Sequence, residues 1–491
     1  MAEVAAAAII SAVGLTGTAA TVGTIVVSAG ISVGLGLAAQ AFLDQPQQTY
    51  KPQSKARSAV TDDGRKVTSQ QPIPMRRMIV GQALVSGPLF FLEVKNPFLY
   101  MGIILGDGPI DGVLYAQFNG KAIYFSDSGA AFTAPFRDGP SVYLHASFRN
   151  GDPDQEMDPL LASGFPGLPS TFRQRGVATA VFRCYWGVNR DHHEALWGST
   201  GINPLCLVRG AKVYDPRNPN QSLSQPSTWA WSDNAALIQS HWLTQRWQYP
   251  VAEGEVDWGS VRTAADICDE AVGTASGVEK RYAAGGVISA DDSHFEVARQ
   301  LLTANAGRMY FRQGKMALES GAPKTSVFTV TDRDIVSGVS HRHSSPVTQA
   351  VNRVRTLFTA TDREWEKANG PIVQNTDYQS EDGRVNEQTI DLPFTNSASA
   401  TQRIAKRYLE TQRAGRELQM TLAPRAQFLE AGDLITVSSL AIPYINGTYD
   451  LLSVVHSDAG IEVRLVEYSP LIDEWNPATD DLPFTISPAS L

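Results

Sequence analysis

Alternation between apolar and polar positions begins at Arg76 and recurs through most of the chain beyond it. Ile79 to Ser86 and Leu89 to Val94 read as strands joined by a Gly87-Pro88 turn. Phe98 to Leu105 reads as a third, stopped by Gly106-Asp107-Gly108-Pro109. Val113 to Phe118 and Lys121 to Phe125 flank Asn119-Gly120, a pair that accepts the positive φ angles of a two-residue hairpin. Ala178 to Gly187 and Pro204 to Asp215 predict further strands in a stretch rich in Pro, Gly and Trp.

After Ser232 the period shifts toward that of a helix. Ser232-Asp233-Asn234 offers a cap for a helix through Ala235, Ala236, Ile238 and Leu243. Asp257 opens another, with Val261, Ala264, Ala265 and Cys268 at helical spacing. Ser293-x-x-Glu296 has the spacing of a capping box, and Gly307 stands where that helix should stop. Met309 to Phe311 and Lys315 to Glu319 then form a hairpin around Gln313-Gly314, completing an α+β unit. In the last third, Thr325 to Val330 and Val351 to Phe358 are strands and Ser397 to Ala414 is a helix. Four alternating strands between Leu418 and Leu465 predict a small barrel or sandwich with that helix packed on it.

The beginning of the chain follows neither pattern. From Val4 to Leu43 there is no charged side chain. About 20 apolar residues suffice to cross a bilayer, but Glu3 stands where a secretory signal would be cationic. Gly30 and Gly34 make a GxxxG pair, which lets helices approach closely. Three readings stay open: a resident membrane anchor, a self-associating plug inside an oligomer, or a segment stored for insertion into a host membrane. Asp44 to roughly Met75 is polar and rich in Pro and Gln, the texture of a linker or extended arm.

A chain of 491 residues exceeds one ordinary core, so several domains are expected. Its 41 basic and 50 acidic residues leave a formal charge of −9, which excludes a general nucleic-acid binder. Three copies around a channel would carry three times −9, or −27, enough to repel a passing duplex; ordinary solubility explains the sign equally well. Cys184, Cys206 and Cys268 are far apart and form no CxxC pair, so buried free thiols and a reducing cytoplasm are expected.

Asp191-His192-His193-Glu194 is the densest run of metal-ligating residue types. Trp197 occupies the position where HExxH needs its second histidine, so a solvated turn is the expectation there. His341 and His343 are spaced to share one strand face, and three copies about a threefold axis would offer six nitrogens to one ion. Arg403, Lys406, Arg407, Arg413 and Arg416 cover much of the 397–414 helix. They predict a solvated or subunit-facing basic surface, with nucleic acid or lipid headgroups as the alternative. No GxxxxGK[ST], GxGxxG, HExxH or Cys–His signature is present, and no catalytic, cofactor-binding or metal residue is assigned and no cofactor is expected. Asp391-Leu392-Pro393-Phe394-Thr395 recurs as Asp481-Leu482-Pro483-Phe484-Thr485, by coincidence or because an extended segment docks a Phe twice.

Four blocks taken in order give the chain a family likeness. They are GPIDGVLYAQFNGKAI at 108–123; LVRGAKVYDPR at 207–217, with 228–244 and 256–270; HFEVARQLLTANAGRMYFRQGKMAL at 294–318; and 391–410 with 430–439 and 463–475. In that order the sequence resembles the central tail hub proteins of siphophages, the lambda tip attachment type, in their hub portion. The resemblance implies a mainly β, α+β multidomain hub with two tube-like β-barrel domains and α+β inserts, preceded here by a hydrophobic N-terminal helical segment.

Its expected divisions are 1–44 (uncharged segment), 45–75 (arm), 76–150 (first tube-like domain) and 151–235 (β-rich insert). The rest are 236–323 (α+β domain), 324–475 (second tube-like barrel with helix) and 476–491 (tail). The implied function is a structural hub at the tip of a non-contractile tail, continuing and closing the tube. Implied partners are two further copies of the chain, the distal tail and tip rings, the tape-measure protein, and receptor-binding fibres or a spike. Genomic DNA would pass through the lumen without specific binding. Residues 1–44 lie outside the resembling blocks and are the candidate for host membrane contact. Lambda-type hubs continue into further receptor-binding domains, whereas this sequence stops at Leu491, so recognition is expected to fall to another protein. A membrane-anchored binding or channel protein and a cell-wall-degrading tail enzyme are the competing classes.

Overall fold

The computed structural model describes residues 74–187, 189–198, 202–336, 338–343 and 350–484. The uncharged 1–44 segment, the arm up to residue 73, and the roles expected of them lie outside the described residues.

The first half is a β-sandwich. Strands β1 (Arg77–Val80), β2 (Gln82–Val85), β3 (Leu89–Lys95), β4 (Phe98–Asp107), β5 (Ile110–Phe118), β6 (Lys121–Ile123) and β7 (Leu144–Arg149) come first. Helix α1 (Pro159–Gly164), β8 (Val177–Tyr185), α2 (Arg190–Trp197) and β9 (Leu205–Val213) follow. One antiparallel sheet runs β3-β4-β8-β7; in the other, β9 lies between β2 and β5, with β6 beside β5. Ile103, Leu105, Ala180 and Phe182 from the first sheet meet Ala116, Phe118, Cys206 and Val208 from the second in one core. The predicted hairpin is present: Phe118 pairs with Lys121, and Asn119 and Gly120 stand at φ 51° and 74°.

A second core gathers around α3 (Ala235–Gln245) and α4 (Trp258–Asp269). Asn234 and Asp257 cap these helices, each side chain accepting from two backbone N–H groups. The ladder of β10 (Ala271–Thr274) and β11 (Gly277–Lys280) follows, then β12 (Gly286–Ser289), which pairs with β1 and so joins the two halves. Helix α5 (His294–Ala304) leads into the hairpin of β13 (Arg308–Arg312) and β14 (Lys315–Glu319), turned by Gln313 and Gly314 at φ 46° and 79°. The capping box is not made. Ser293 holds the N-cap position without a side-chain bond, while Glu296 accepts instead from Arg299 at 3.0 Å and Gln300 at 2.9 Å. At the other end Ala306, at φ 47°, takes the left-handed position, and the Gly307 N–H donates back to the Leu302 carbonyl at 2.8 Å.

The last third holds β15 (Ser326–Thr331), β16 (Ser340–His343), β17 (Arg353–Ala360), β18 (Glu366–Asn369), α6 (Thr376–Asp382) and β19 (Glu387–Leu392). Helix α7 (Ala398–Arg413) and strands β20 (Arg416–Leu422), β21 (Leu434–Ser438), β22 (Gly447–Ser457) and β23 (Gly460–Glu467) complete it. Six strands form a sheet in the order β15-β21-β22-β23-β20-β16, with β15 parallel to β21 and the other neighbours antiparallel. Leu418, Met420, Ile435, Val437, Leu451, Val463 and Leu465 build its core.

Two expectations change here. Among the described residues no sheet closes into a barrel; β15 and β16 are the free edges of the six-stranded sheet. Helix α7 is not that sheet's companion either. Its stripe of Ile404, Ala405, Tyr408 and Leu409 enters the second core with Phe358 and Leu392 of β17 and β19, which pair in parallel. Alternation marks which face of a strand is buried, but not what covers it, so the helix was attached to its nearest strands in sequence.

Candidate functional site

The residues that carried candidate chemistry are dispersed. Cys184, Cys206 and Cys268 are free and buried, as expected. Burial pushes all three thiols up, Cys268 to about 11, against the thiolate form that reactivity requires. Asp191 to Glu194 is not a solvated turn. It is the first half of α2, capped by Asn189, whose side chain accepts from the His192 N–H at 2.8 Å. His192 packs edge-on against Tyr143 at 5.2 Å, His193 lies on Trp186 at 4.5 Å, and Glu194 pairs with Arg190 at 2.7 Å. A short, mostly polar segment predicts a turn; what makes it a helix is Leu196 and Trp197 in the sandwich core. In β16, His341 stands opposite Leu418 and His343 opposite Arg416, on a sheet edge. Among the described residues there is no group of three or more His, Cys, Asp or Glu placed to hold a metal ion.

The basic helix is the larger correction. Its cations, and Arg416 at the start of β20, face acids of this same chain. Arg403 is buried and bonds Glu279 at 2.7 Å and the Arg281 carbonyl at 2.9 Å. Lys406 pairs with Asp480 at 2.8 Å, Arg407 with Asp473, Arg413 with Asp382 at 2.9 Å, and Arg416 with Glu467. The acids come from four separate stretches, so a sequence window around α7 shows cations alone.

Two of these contacts, Lys406 to Asp480 and Arg407 to Asp473, fasten a strap, residues 473–484, across α7. The Arg403 guanidinium also lies 5.6 Å over the Trp475 ring, whose N–H donates to the Gly273 carbonyl at 3.0 Å. Gln402, fully buried, is the clasp. Its amide nitrogen donates to Asp481 and to the Leu482 carbonyl, both at 3.0 Å, and its oxygen accepts from the Leu482 N–H at 2.9 Å. Phe484 then packs on Phe358 at 5.3 Å. Both copies of the Asp-Leu-Pro-Phe segment therefore send their Phe into the second core, Phe394 fully buried and Phe484 partly.

Replacing the clasp removes three part-buried bonds at once and leaves their partners unsatisfied. Gln402→Ala is expected to cost about 2 kcal/mol and to speed chymotryptic cleavage at Trp475. Cleavage at the wild-type rate would mean that the ion pairs alone hold the strap.

A buried charge cluster ties the six-stranded sheet to the second core. Asp450 of β22 is 4% exposed and accepts from Arg308 of β13 and from Lys324, each at 3.0 Å; Lys324 also pairs with Glu319. Burial pushes the Asp450 carboxyl up, but Arg308 and Lys324 outweigh it and hold its pKa below the usual value. Beside this junction lies a cleft of about 480 Å³ between the β13–β14 turn, the 427–431 loop and β22. Its rim is cross-braced by Gln313 to Glu430 at 2.6 Å and Arg312 to the Ala431 carbonyl at 2.7 Å, with Phe428 55% exposed at the mouth. Sequence reasoning missed Gln402, Asp450 and Lys324, because each acts on a residue more than 70 positions away.

Residues 296–442 match the family model described as "Putative phage tail protein". The match begins in α5 and ends just past β21, taking in β13–β14, the β17–β19 pair and α7. Across 91% of this chain and 97% of the other, the fold is similar to that of a chain in the virion of a native gene transfer agent particle, with a TM-score of 0.57 and 16% identity. Two prophage tail proteins also align. They are the 43 kDa tail protein of prophage MuSo2 from Shewanella oneidensis (12% identity, 82% of this chain and 95% of that one, TM-score 0.28) and gp18 from Listeria monocytogenes EGD-e (8% identity, 76% and 85%, TM-score 0.27). These two scores are too low to bear on the fold. No curated protein matches the sequence.

Proposed function

We propose that this chain is a structural subunit of a phage-type tail, and within the tail the central hub at its tip. The tail assignment is carried by the phage-tail match over residues 296–442 and supported by a fold shared, over most of both chains, with a virion chain. The narrower hub role rests on the ordered blocks from 108 to 475. In that role three copies surround the axis, with 76–150 and 324–475 continuing the tube and 151–323 narrowing it. The partners are the distal tail and tip rings, the tape-measure protein and receptor-binding fibres or a spike, with DNA passing through the lumen. Sheet edges suit such a subunit, because β3 in one sheet and β15 in another border no further strand among the described residues. Among the described residues no helix is long and apolar enough to cross a membrane, so residues 1–44 remain the candidate for membrane contact.

The expected assembly is a trimer. Light scattering on purified full-length protein should give the mass of three 53.2 kDa chains, and class averages of isolated tails should show threefold density at the tip. A monomer throughout the micromolar range, or a sixfold ring, would overturn the hub assignment.

A further inference from the structure

One end of the β3-β4-β8-β7 sheet carries a ring cluster that the assembly role does not use. The chain leaves β8 through Tyr185 and Trp186, turns at Gly187 and folds back as α2. Gly187 stands at φ 103°, and a Cβ there would lie 2.9 Å from the His193 nitrogen. Glycine is therefore required for α2 to return so closely. The return sets His193 on the Trp186 indole, centroids 4.5 Å apart, and the His193 Nδ1 bonds the Trp186 carbonyl at 2.7 Å. His192 packs between Tyr143 at 5.2 Å and Tyr185 at 5.9 Å, and Phe98 backs Tyr185 at 5.6 Å. At the far end of α2, Trp197 is fully buried and donates to the Tyr185 carbonyl at 2.9 Å. The helix is thus pinned to the core, and the platform it supports is fixed before any ligand arrives.

Trp186 remains 52% exposed on this base. Its surroundings are polar rather than apolar. Arg190 and Glu194 form an open ion pair one helical turn apart, Asp191 and Asn189 are exposed beside them, and Asn96 is exposed next to Pro97, whose carbonyl accepts from the backbone N–H of Trp186 at 2.9 Å. The core of a protein–protein contact is depleted of charged residues. A half-exposed indole backed by His193, with exposed carboxylate, amide and guanidinium side chains on the adjoining turn and helix, suits a different ligand. A pyranose ring has an apolar C–H face that lies flat on an indole, and an edge of hydroxyls that such polar groups bond in pairs.

We propose that this surface is a carbohydrate-binding site, with Trp186 as the stacking platform for one sugar ring of a glycan and the 189–194 segment as its hydroxyl-reading rim. Binding here does not depend on the subunit's position in a tail, and the trimer measurement tests that separately.

The test uses full-length protein against an array of glucose, mannose, rhamnose and N-acetylglucosamine oligosaccharides, with calorimetry on any sugar bound. At least one oligosaccharide is expected to bind. Trp186→Ala should weaken it at least tenfold, Trp186→Phe should retain most of the affinity, and Phe428→Ala, which removes an exposed ring elsewhere, should leave it unchanged. Because Trp186 is a surface residue, the melting temperature of each variant should match the wild type. Absence of binding to every sugar, or equal binding by Trp186→Ala, would overturn the proposal. So would loss of oligomer in Trp186→Ala without any sugar bound, which would make the patch a subunit contact.

Discussion

Asp450→Asn is expected to lower stability at neutral pH by about 3–5 kcal/mol, the usual cost of leaving a buried cation without its counter-charge. The carboxylate is bound by Arg308 and Lys324 at 3.0 Å each, and all three side chains are largely shielded from water. Asparagine keeps the shape and removes only the charge, so the loss reports electrostatics rather than packing. The pH dependence has a definite sign. The folded carboxyl titrates below its ordinary value of about 4, so its stabilising contribution is complete above that value and fades as pH falls through the lowered one. Urea midpoints of wild type and variant should therefore lie far apart at pH 7 and converge in acid. A constant gap from pH 7 down to pH 3 would show that the pair contributes nothing as a charge.

Trp197→Ala should cost about as much, roughly 3–5 kcal/mol, for a different reason: it empties a large, fully enclosed site. The indole packs on Phe136 at 4.9 Å and Phe118 at 5.7 Å in the sandwich core, and its N–H is bonded. Trp197→Phe, which keeps a ring but loses volume and that bond, should cost about half as much. The measurement is the shift of the denaturant transition followed by far-UV circular dichroism, since the sandwich is mostly strand. A shift under about 1 kcal/mol for the alanine variant would mean that α2 and its neighbours collapse to fill the space. Trp197 is also the residue that breaks an HExxH pattern, so the same side chain that denies the site a metal ligand holds the helix in place.

What was legible in the sequence is what short-range stereochemistry dictates. Asn119-Gly120 and Gln313-Gly314 announce hairpins because few other pairs tolerate two positive φ angles in succession, and both are found. Asn234 and Asp257 announce helix starts because their short side chains reach the free N–H groups of the first turn. Burial of the three free thiols followed from their wide separation and the absence of a CxxC pair. The remainder depends on partners distant in sequence. Nothing near Ser326 indicates that β15 will lie parallel to β21, and nothing near Arg403 indicates Glu279. A helix bristling with cations reads as a solvent face until the acids that meet it are known. The Asp-Leu-Pro-Phe repeat was visible as letters, but only the second core explains why both copies end in a ring.

The strap has a consequence for how the molecule is made. The second core contains Met78 and Val80 from the first described strand, and Phe484 packs against the same core. These contributions leave the ribosome about 400 residues apart, which at roughly 5–20 residues per second separates them by on the order of 20–80 s. Phe358 is made 126 residues before Phe484 (484 − 358), so for on the order of 6–25 s it, and then the buried face of α7, await their last cover, while the sandwich between β2 and β9 can already be complete. Nascent chains are thus most exposed to misassembly late in synthesis, in the core that residues 473–484 close.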